Sequence, residues 1–135
     1  MKKILFLGLL VVLALTACTG SKGSASIEGQ WKLVSFGPAS SQIPALPDVE
    51  TSIEFKDGQM SGNVGCNGFG GEYSIKGGQI EFGPVMSTMM FCEAVAVQES
   101  STLAVFQETA TFVLDGDTLT IKSADGAMSI VLARK

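Results

Sequence analysis

The sequence predicts a mainly β domain of the α+β kind: an antiparallel sheet of about seven or eight strands, curled into a barrel or cone, with one helix packed on it. Three observations predict it. Short runs of alternating apolar residues recur from Gln30 onward. Turn dipeptides rich in Gly and Asp separate them. One stretch, Glu93 to Thr109, carries no Gly or Pro.

Trp31-Lys32-Leu33-Val34-Ser35-Phe36 is the first strand-like run. A loop with Pro38, Pro44 and Pro47 follows, then Thr51 to Phe55, with Ile53 and Phe55 on one face. Asp57-Gly58 is a hairpin signal. Gln59 to Val64 and Gly71 to Ile75 are the next two predicted strands, joined by a glycine-rich bend. Gly77-Gly78 turns the chain into Gln79-Ile80-Glu81-Phe82. In the last third, Phe112 and Leu114 share a face before Asp115-Gly116-Asp117. Leu119 and Ile121 precede Ala124-Asp125-Gly126, and Met128, Ile130 and Leu132 close the chain. Such alternation makes one face apolar, so a slip of one residue would expose it. Between Glu93 and Thr109, Ala96, Leu103, Phe106 and Ala110 fall near helical spacing, and Glu93 suits a helix N-terminus. Ser100, Ser101 and Thr102 weaken helix propensity in the middle.

The chain begins differently. Lys2 and Lys3 precede a run of 12 residues, Ile4 to Leu15, that is apolar apart from Gly8. Leu15-Thr16-Ala17-Cys18 then supplies small residues before a cysteine. That is the pattern of a secretory signal. Twelve residues rise only ~18 Å as a helix, too short for a hydrocarbon core of about 30 Å. Leu-Thr-Ala-Cys also resembles the bacterial lipobox, where the cysteine is acylated and becomes the first mature residue. The expected organisation is a signal over residues 1–17, a flexible Ser/Gly-rich linker over 18–26 carrying lipid on Cys18, and one domain over 27–135. Two or more acyl chains give stable anchoring. The expected location is therefore the cell envelope. With two membranes, Thr19 resembles the sorting pattern for the outer membrane, facing the periplasm; with one, the site is its outer face.

Removing the signal leaves 118 residues and a formal charge of −6, enough chain for one core and not for two. The mild acidity, with no basic cluster, argues against nucleic acid and against charge-driven binding to anionic lipid. A monomer is expected. Histidine is absent, which removes the commonest general base and metal ligand. The acidic residues read as scattered through turns and outer faces, and no serine has a histidine partner or a Gly-x-Ser-x-Gly elbow. No enzyme, cofactor or metal is expected.

Two stretches remain. Ser61 to Tyr73 contains five glycines but lacks the Lys-Ser/Thr ending of a phosphate loop. It reads as a strand and a tight bend; the alternative is an exposed binding loop using Asn63, Asn67 and Phe69. Ser87 to Cys92 follows Met86 and holds Met89 and Met90. Soft sulfur ligands suit Cu(I), but Met also fills irregular cores. Once Cys18 is acylated, Cys66 and Cys92 remain as a pair in an oxidising compartment, and a disulfide would close a loop of 27 residues. Two buried free thiols are the alternative.

These two stretches resemble the META domain, or HslJ-like, family. Gly62-Asn63-Val64-Gly65-Cys66-Asn67 with Gly71-Glu72-Tyr73 is similar to its "sGxxGCNxxxGxY" core. Gly29 to Leu33 resembles its opening "GxWxL", and Ser87 to Cys92 its "sTxMxC". Asp115 to Ile121 resembles its "ldGdxLtL" hairpin. The resemblance covers Ile27 to Leu132. It implies a compact barrel-like sheet with one helix, in an envelope lipoprotein linked to heat shock, novobiocin resistance, motility or secretion, with no established biochemical activity. The helix here is poorer in acidic and leucine positions than the family's. The expected function is a lipid-anchored, non-enzymatic module that binds a partner or supports the envelope under stress. The alternative is an inhibitor or small-ligand-binding module acting on an exported partner.

Overall fold

The computed structural model describes residues 26–135. The expected signal over residues 1–17 and the expected lipidation site, Cys18, lie outside them.

Ten strands run β1 (Gly29–Pro38), β2 (Ile43–Pro44), β3 (Ser52–Lys56), β4 (Gln59–Asn63), β5 (Gly68–Lys76), β6 (Gln79–Phe82), β7 (Met86–Ser87), β8 (Thr109–Asp115), β9 (Thr118–Lys122) and β10 (Met128–Arg134). A 3-10 turn (Glu93–Val95) leads into helix α1 (Ala96–Leu103). All pairings are antiparallel. Eight strands close a barrel in the order β10-β9-β8-β6-β5-β4-β3-β1, and β10 pairs back to β1. β2 and β7 are short additions on β1 and β5. Closure leaves the ring without an open edge.

The alternation read from the sequence is the inside–outside pattern of this wall. Ile53, Phe55, Met60, Tyr73, Ile80, Phe82, Leu119, Ile121, Ile130 and Leu132 all point inward. β1 changes parity partway: Trp31, Leu33 and Phe36 are all buried, which strict alternation forbids. A register shift between Leu33 and Ser35 inserts the extra residue, and half-exposed Val34 takes the outer position. The Thr51 hydroxyl accepts the Leu33 amide there at 2.9 Å.

Two expectations need correction. The glycine-rich stretch is not one bend. The chain turns over residues 64–67, and Gly68 to Gly71 already form β5. Glycine serves close approach instead: a Cβ on Gly62 would stand 2.4 Å from the Ser52 carbonyl oxygen and 2.8 Å from the Phe69 ring. The helix is also shorter than expected. It ends at Leu103, Thr109 and Ala110 belong to β8, and Glu108 takes a left-handed φ of 53°. Val105 and Phe106 leave the helix to fill the core, where Phe106 meets Phe82 at 5.3 Å and Phe69 at 5.6 Å between ring centres. Those aromatic contacts outweigh continued helix in a segment already weakened by two serines and a threonine.

The strand directions sort the loops into two ends. Ser26 to Glu28 and the hairpins at Asp57-Gly58, Gly77-Gly78 and Gly116 lie at one end, the entry end. Residues 64–67, residues 86–92 and α1 lie at the other. At the entry end burial, with the Glu28 carboxylate nearby, pushes the Tyr73 hydroxyl above its ordinary pKa. The fold therefore favours the neutral phenol. Its contribution holds below the unfolded value of about 10 and is lost as pH rises through the folded one. Tyrosinate absorbance of the folded protein is expected to titrate later than that of the urea-unfolded chain.

Candidate functional site

The far end of the barrel is organised by a polar side of α1. The expected amphipathic face, Ala96 and Leu103, is only part of what faces inward. Gln98, Glu99 and Thr102 are buried, while Val97 is exposed. Gln98 donates to the Val64 carbonyl at 2.6 Å and accepts from the Leu46 amide at 2.8 Å, tying three segments together. Thr102 donates back to the Gln98 carbonyl at 2.7 Å.

Glu99 lies in a pocket of donors. One carboxylate oxygen accepts the amides of Cys66, at 2.8 Å, and Asn67. The other accepts the Asn67 side-chain nitrogen at 3.0 Å. No Lys or Arg among the described residues forms an ion pair with it. Oriented N–H groups do what a cation would otherwise do.

Asn67, also buried, uses its whole amide. Its nitrogen donates to Glu99 and to the Met90 carbonyl at 2.9 Å. Its oxygen accepts the Thr88 hydroxyl and the Met90 amide, both at 2.8 Å. Two donors and two acceptor positions saturate the group. Asn63 holds the preceding turn, accepting the Gly65 amide at 2.8 Å and donating to the Cys66 carbonyl at 3.2 Å. Gly65 admits Val95 at a distance no Cβ allows, since one built there would stand 2.7 Å from the Val95 Cβ. Cys66 and Cys92 are joined in a disulfide with 6.2 Å between Cα atoms. Replacing both by Ala opens a 27-residue loop; the chain-entropy model puts the loss at about 3.5 kcal/mol. Chemical denaturation of the double variant is expected to show a lower midpoint.

Asn63, Asn67 and Phe69 therefore do not form an exposed binding loop. Both amides are spent on internal hydrogen bonds, and Phe69 is 6 % exposed against Phe106. Nor are the acidic residues all on turns and outer faces, because Glu99 is 7 % exposed. Gln98, Glu99, Thr102 and Thr88 escape a reading by hydrophobic period, which scores them as helix surface or loop. The one available signal is the Gln-Glu pair directly after an apolar Val-Ala-Val in a helix of low propensity.

What this network holds out to solvent is apolar. Met86, Met89, Met90 and Phe91 are 76, 95, 61 and 83 % exposed. Their backbone is held at several points along the segment. Met86 and Ser87 pair with Gly70 and Phe69, Thr88 donates its amide to Gly68 at 3.0 Å, Asn67 grips Met90, and the disulfide ends the segment. Beside this ridge, an open cleft of about 560 Å³ runs between residues 82–87 and 103–108, lined by Phe82, Pro84, Val85, Leu103 and Phe106. The far end thus offers apolar contact along the ridge, while Ser87, Gln107 and Glu108 add polar groups to the cleft beside it. Among the described residues no three His, Cys, Asp or Glu side chains gather as metal ligands, and no helix is long and apolar enough to cross a membrane.

The fold is shared with solved structures of low sequence identity. A protein from Burkholderia xenovorans, determined by NMR, is 18 % identical with a TM-score of 0.65, over 80 % of this chain and 82 % of that one. A DUF4847 family protein from Bacteroides vulgatus is 15 % identical with a TM-score of 0.58, over 80 % and 93 % of the two chains. No curated protein matches the chain significantly. The META domain family model matches residues 25–135, which includes the whole barrel, the Gly-Cys-Asn turn and the ridge. The chain belongs to the META domain family.

Proposed function

We propose that the chain is a non-enzymatic, lipid-anchored module of the bacterial envelope that docks an exported partner protein through the Met86–Phe91 ridge. The ridge itself carries this reading. Four large apolar side chains stand in water on a backbone fixed by a buried network, where a free loop would fold them inward. Contiguous apolar surface of this kind marks interaction sites. Met and Phe are also among the residues enriched in protein interfaces.

Anchoring rests on the sequence: Lys2-Lys3, the apolar run and Cys18 after Leu15-Thr16-Ala17. The described chain enters the barrel at the end opposite the ridge. A tether on Cys18 would join the fold at that end, which leaves the ridge uncovered by its own attachment point. With two membranes the site is the outer membrane, facing the periplasm; with one, its outer face. A role under envelope stress or antibiotic exposure is the setting in which such a docking module acts.

A photoreactive residue in place of Met89 tests the docking, with the same residue at Gly78 as control. One discrete protein adduct is expected from Met89 in living cells, weakened about tenfold by Phe91→Ser, with none from Gly78. Adducts with lipid, or none, would overturn the reading. A second reading, a small apolar ligand, is favoured by the cleft beside the ridge. It is the better one if the probe at Val85 captures a small molecule and Met89 captures nothing. Cys18→Ser is expected to abolish incorporation of labelled fatty acid and to release the protein from the membrane fraction. A membrane-bound, labelled variant would sink the anchor.

A further inference from the structure

The three ridge methionines have a chemistry of their own. We infer that Met86, Met89 and Met90 form a methionine oxidation site, converted to sulfoxides by two-electron oxidants of the hypochlorous acid class while the barrel stays folded. Three observations combine. All three thioethers stand well exposed within five residues, whereas Met60 is 1 % exposed and Met128 packs against the core. Thioethers of equal intrinsic reactivity are then separated by access alone. Cys66 and Cys92, the side chains that would otherwise react first, are already joined in a disulfide. Finally, the ridge backbone is held by Asn67, Thr88, Gly68 and the disulfide, none of which changes when a thioether gains oxygen.

The step balances at each sulfur. Its lone pair attacks the chlorine of hypochlorous acid and hydroxide leaves. Water then adds to the sulfur, chloride departs and the released protons pass to solvent. Sulfur loses two electrons and chlorine gains them; the net products are one sulfoxide, one chloride and one proton. Sulfoxide formation turns a flexible apolar side chain into a polar one and is reversible by methionine sulfoxide reductases. If the ridge docks a partner as proposed above, a consequence that rests on that reading, oxidation releases the partner and reduction restores it.

Titrating the purified full chain with hypochlorite, up to one oxidant per ridge methionine, tests the site by peptide mass mapping. Met86, Met89 and Met90 are expected to gain oxygen at least about tenfold faster than Met60, with near-ultraviolet circular dichroism unchanged and full reversal by the reductases. Met60 keeping pace, or loss of the folded spectrum as the ridge oxidises, would overturn the proposal. The triple variant Met86→Leu, Met89→Leu, Met90→Leu alters only exposed side chains and is expected to consume the oxidant several-fold more slowly. Consumption at the parent rate would also refute it. Mapping reads oxygen on sulfur and the cross-linking reads a partner, so either proposal can fail alone.

Discussion

Glu99→Ala is expected to lower the thermal midpoint by more than about 10 °C, a loss of roughly 3 kcal/mol or more at ~4 °C per kcal/mol. The reason is local. Three donors converge on this carboxylate, from Cys66, from the Asn67 backbone and from the Asn67 side chain. Truncation leaves them in a buried site, and each unpaired buried group costs about 1–3 kcal/mol unless water enters. Glu99→Gln separates shape from chemistry. One amide oxygen can still accept the two backbone donors, but the new nitrogen then faces the Asn67 nitrogen, donor against donor. The isosteric variant is therefore expected to lose about half as much as Ala, not to resemble the parent. Differential scanning calorimetry checks both. Because Asn67 also grips Met90, hydrogen exchange of residues 88–91 should quicken in both variants. A parent-like midpoint for Glu99→Ala would mean the network is incidental.

Trp31→Ala is expected to cost about 3–5 kcal/mol, the range for emptying a large aromatic site in a core. Trp31 is fully buried on β1, the strand that closes the barrel by pairing with β3 on one side and β10 on the other. Its indole nitrogen donates to the Ile27 carbonyl at 2.8 Å, and the Arg134 guanidinium stacks on its ring at 4.2 Å. Arg134 in turn donates to the carbonyls of Glu28, at 2.8 Å, and Ser26, at 3.2 Å. A Cβ on Gly29 would stand 2.7 Å from that guanidinium, at a φ of 125°. Removing the indole thus empties the seam and loosens the clamp on the entering chain. Trp31→Phe keeps most of the apolar contact but leaves the buried Ile27 carbonyl without its donor, for an expected loss of about 1–3 kcal/mol. Urea unfolding followed by far-ultraviolet circular dichroism reads both variants. Against a total stability of about 5–15 kcal/mol, the Ala variant combined with an open disulfide is expected to lose roughly 7–8 kcal/mol, a large share of the whole, and to unfold at a much lower urea concentration than either change alone.

Most of the wall was legible because strand burial repeats every second residue. Ile53 and Phe55, Ile80 and Phe82, Leu119 and Ile121, and Ile130 and Leu132 all read correctly as inward pairs. The period failed where geometry departs from it. The extra residue near Val34 and the start of β5 at Gly68 depend on which strand lies alongside. Glycine looks the same in a turn and at a close crossing. The helix was placed but mis-faced, for a different reason. Gln98, Glu99 and Thr102 are polar by type and buried by circumstance; the turn at residues 64–67, the Leu46 amide and the Gln98 carbonyl supply the partners that make that burial favourable.

From sequence alone, the β class, the closed curl, the position of the helix, the pairing of Cys66 with Cys92 as one of two alternatives and the family resemblance follow. These rest on local periodicity, turn chemistry and short motifs, which neighbours in the chain determine. Tertiary structure decided that Asn63, Asn67 and Phe69 face inward, that Glu99 is the hub of the far end, and that Met86, Met89, Met90 and Phe91 face out. Whether a polar side chain is buried, or an apolar one exposed, depends on partners distant in sequence: Glu99 finds its donors 32 and 33 residues away.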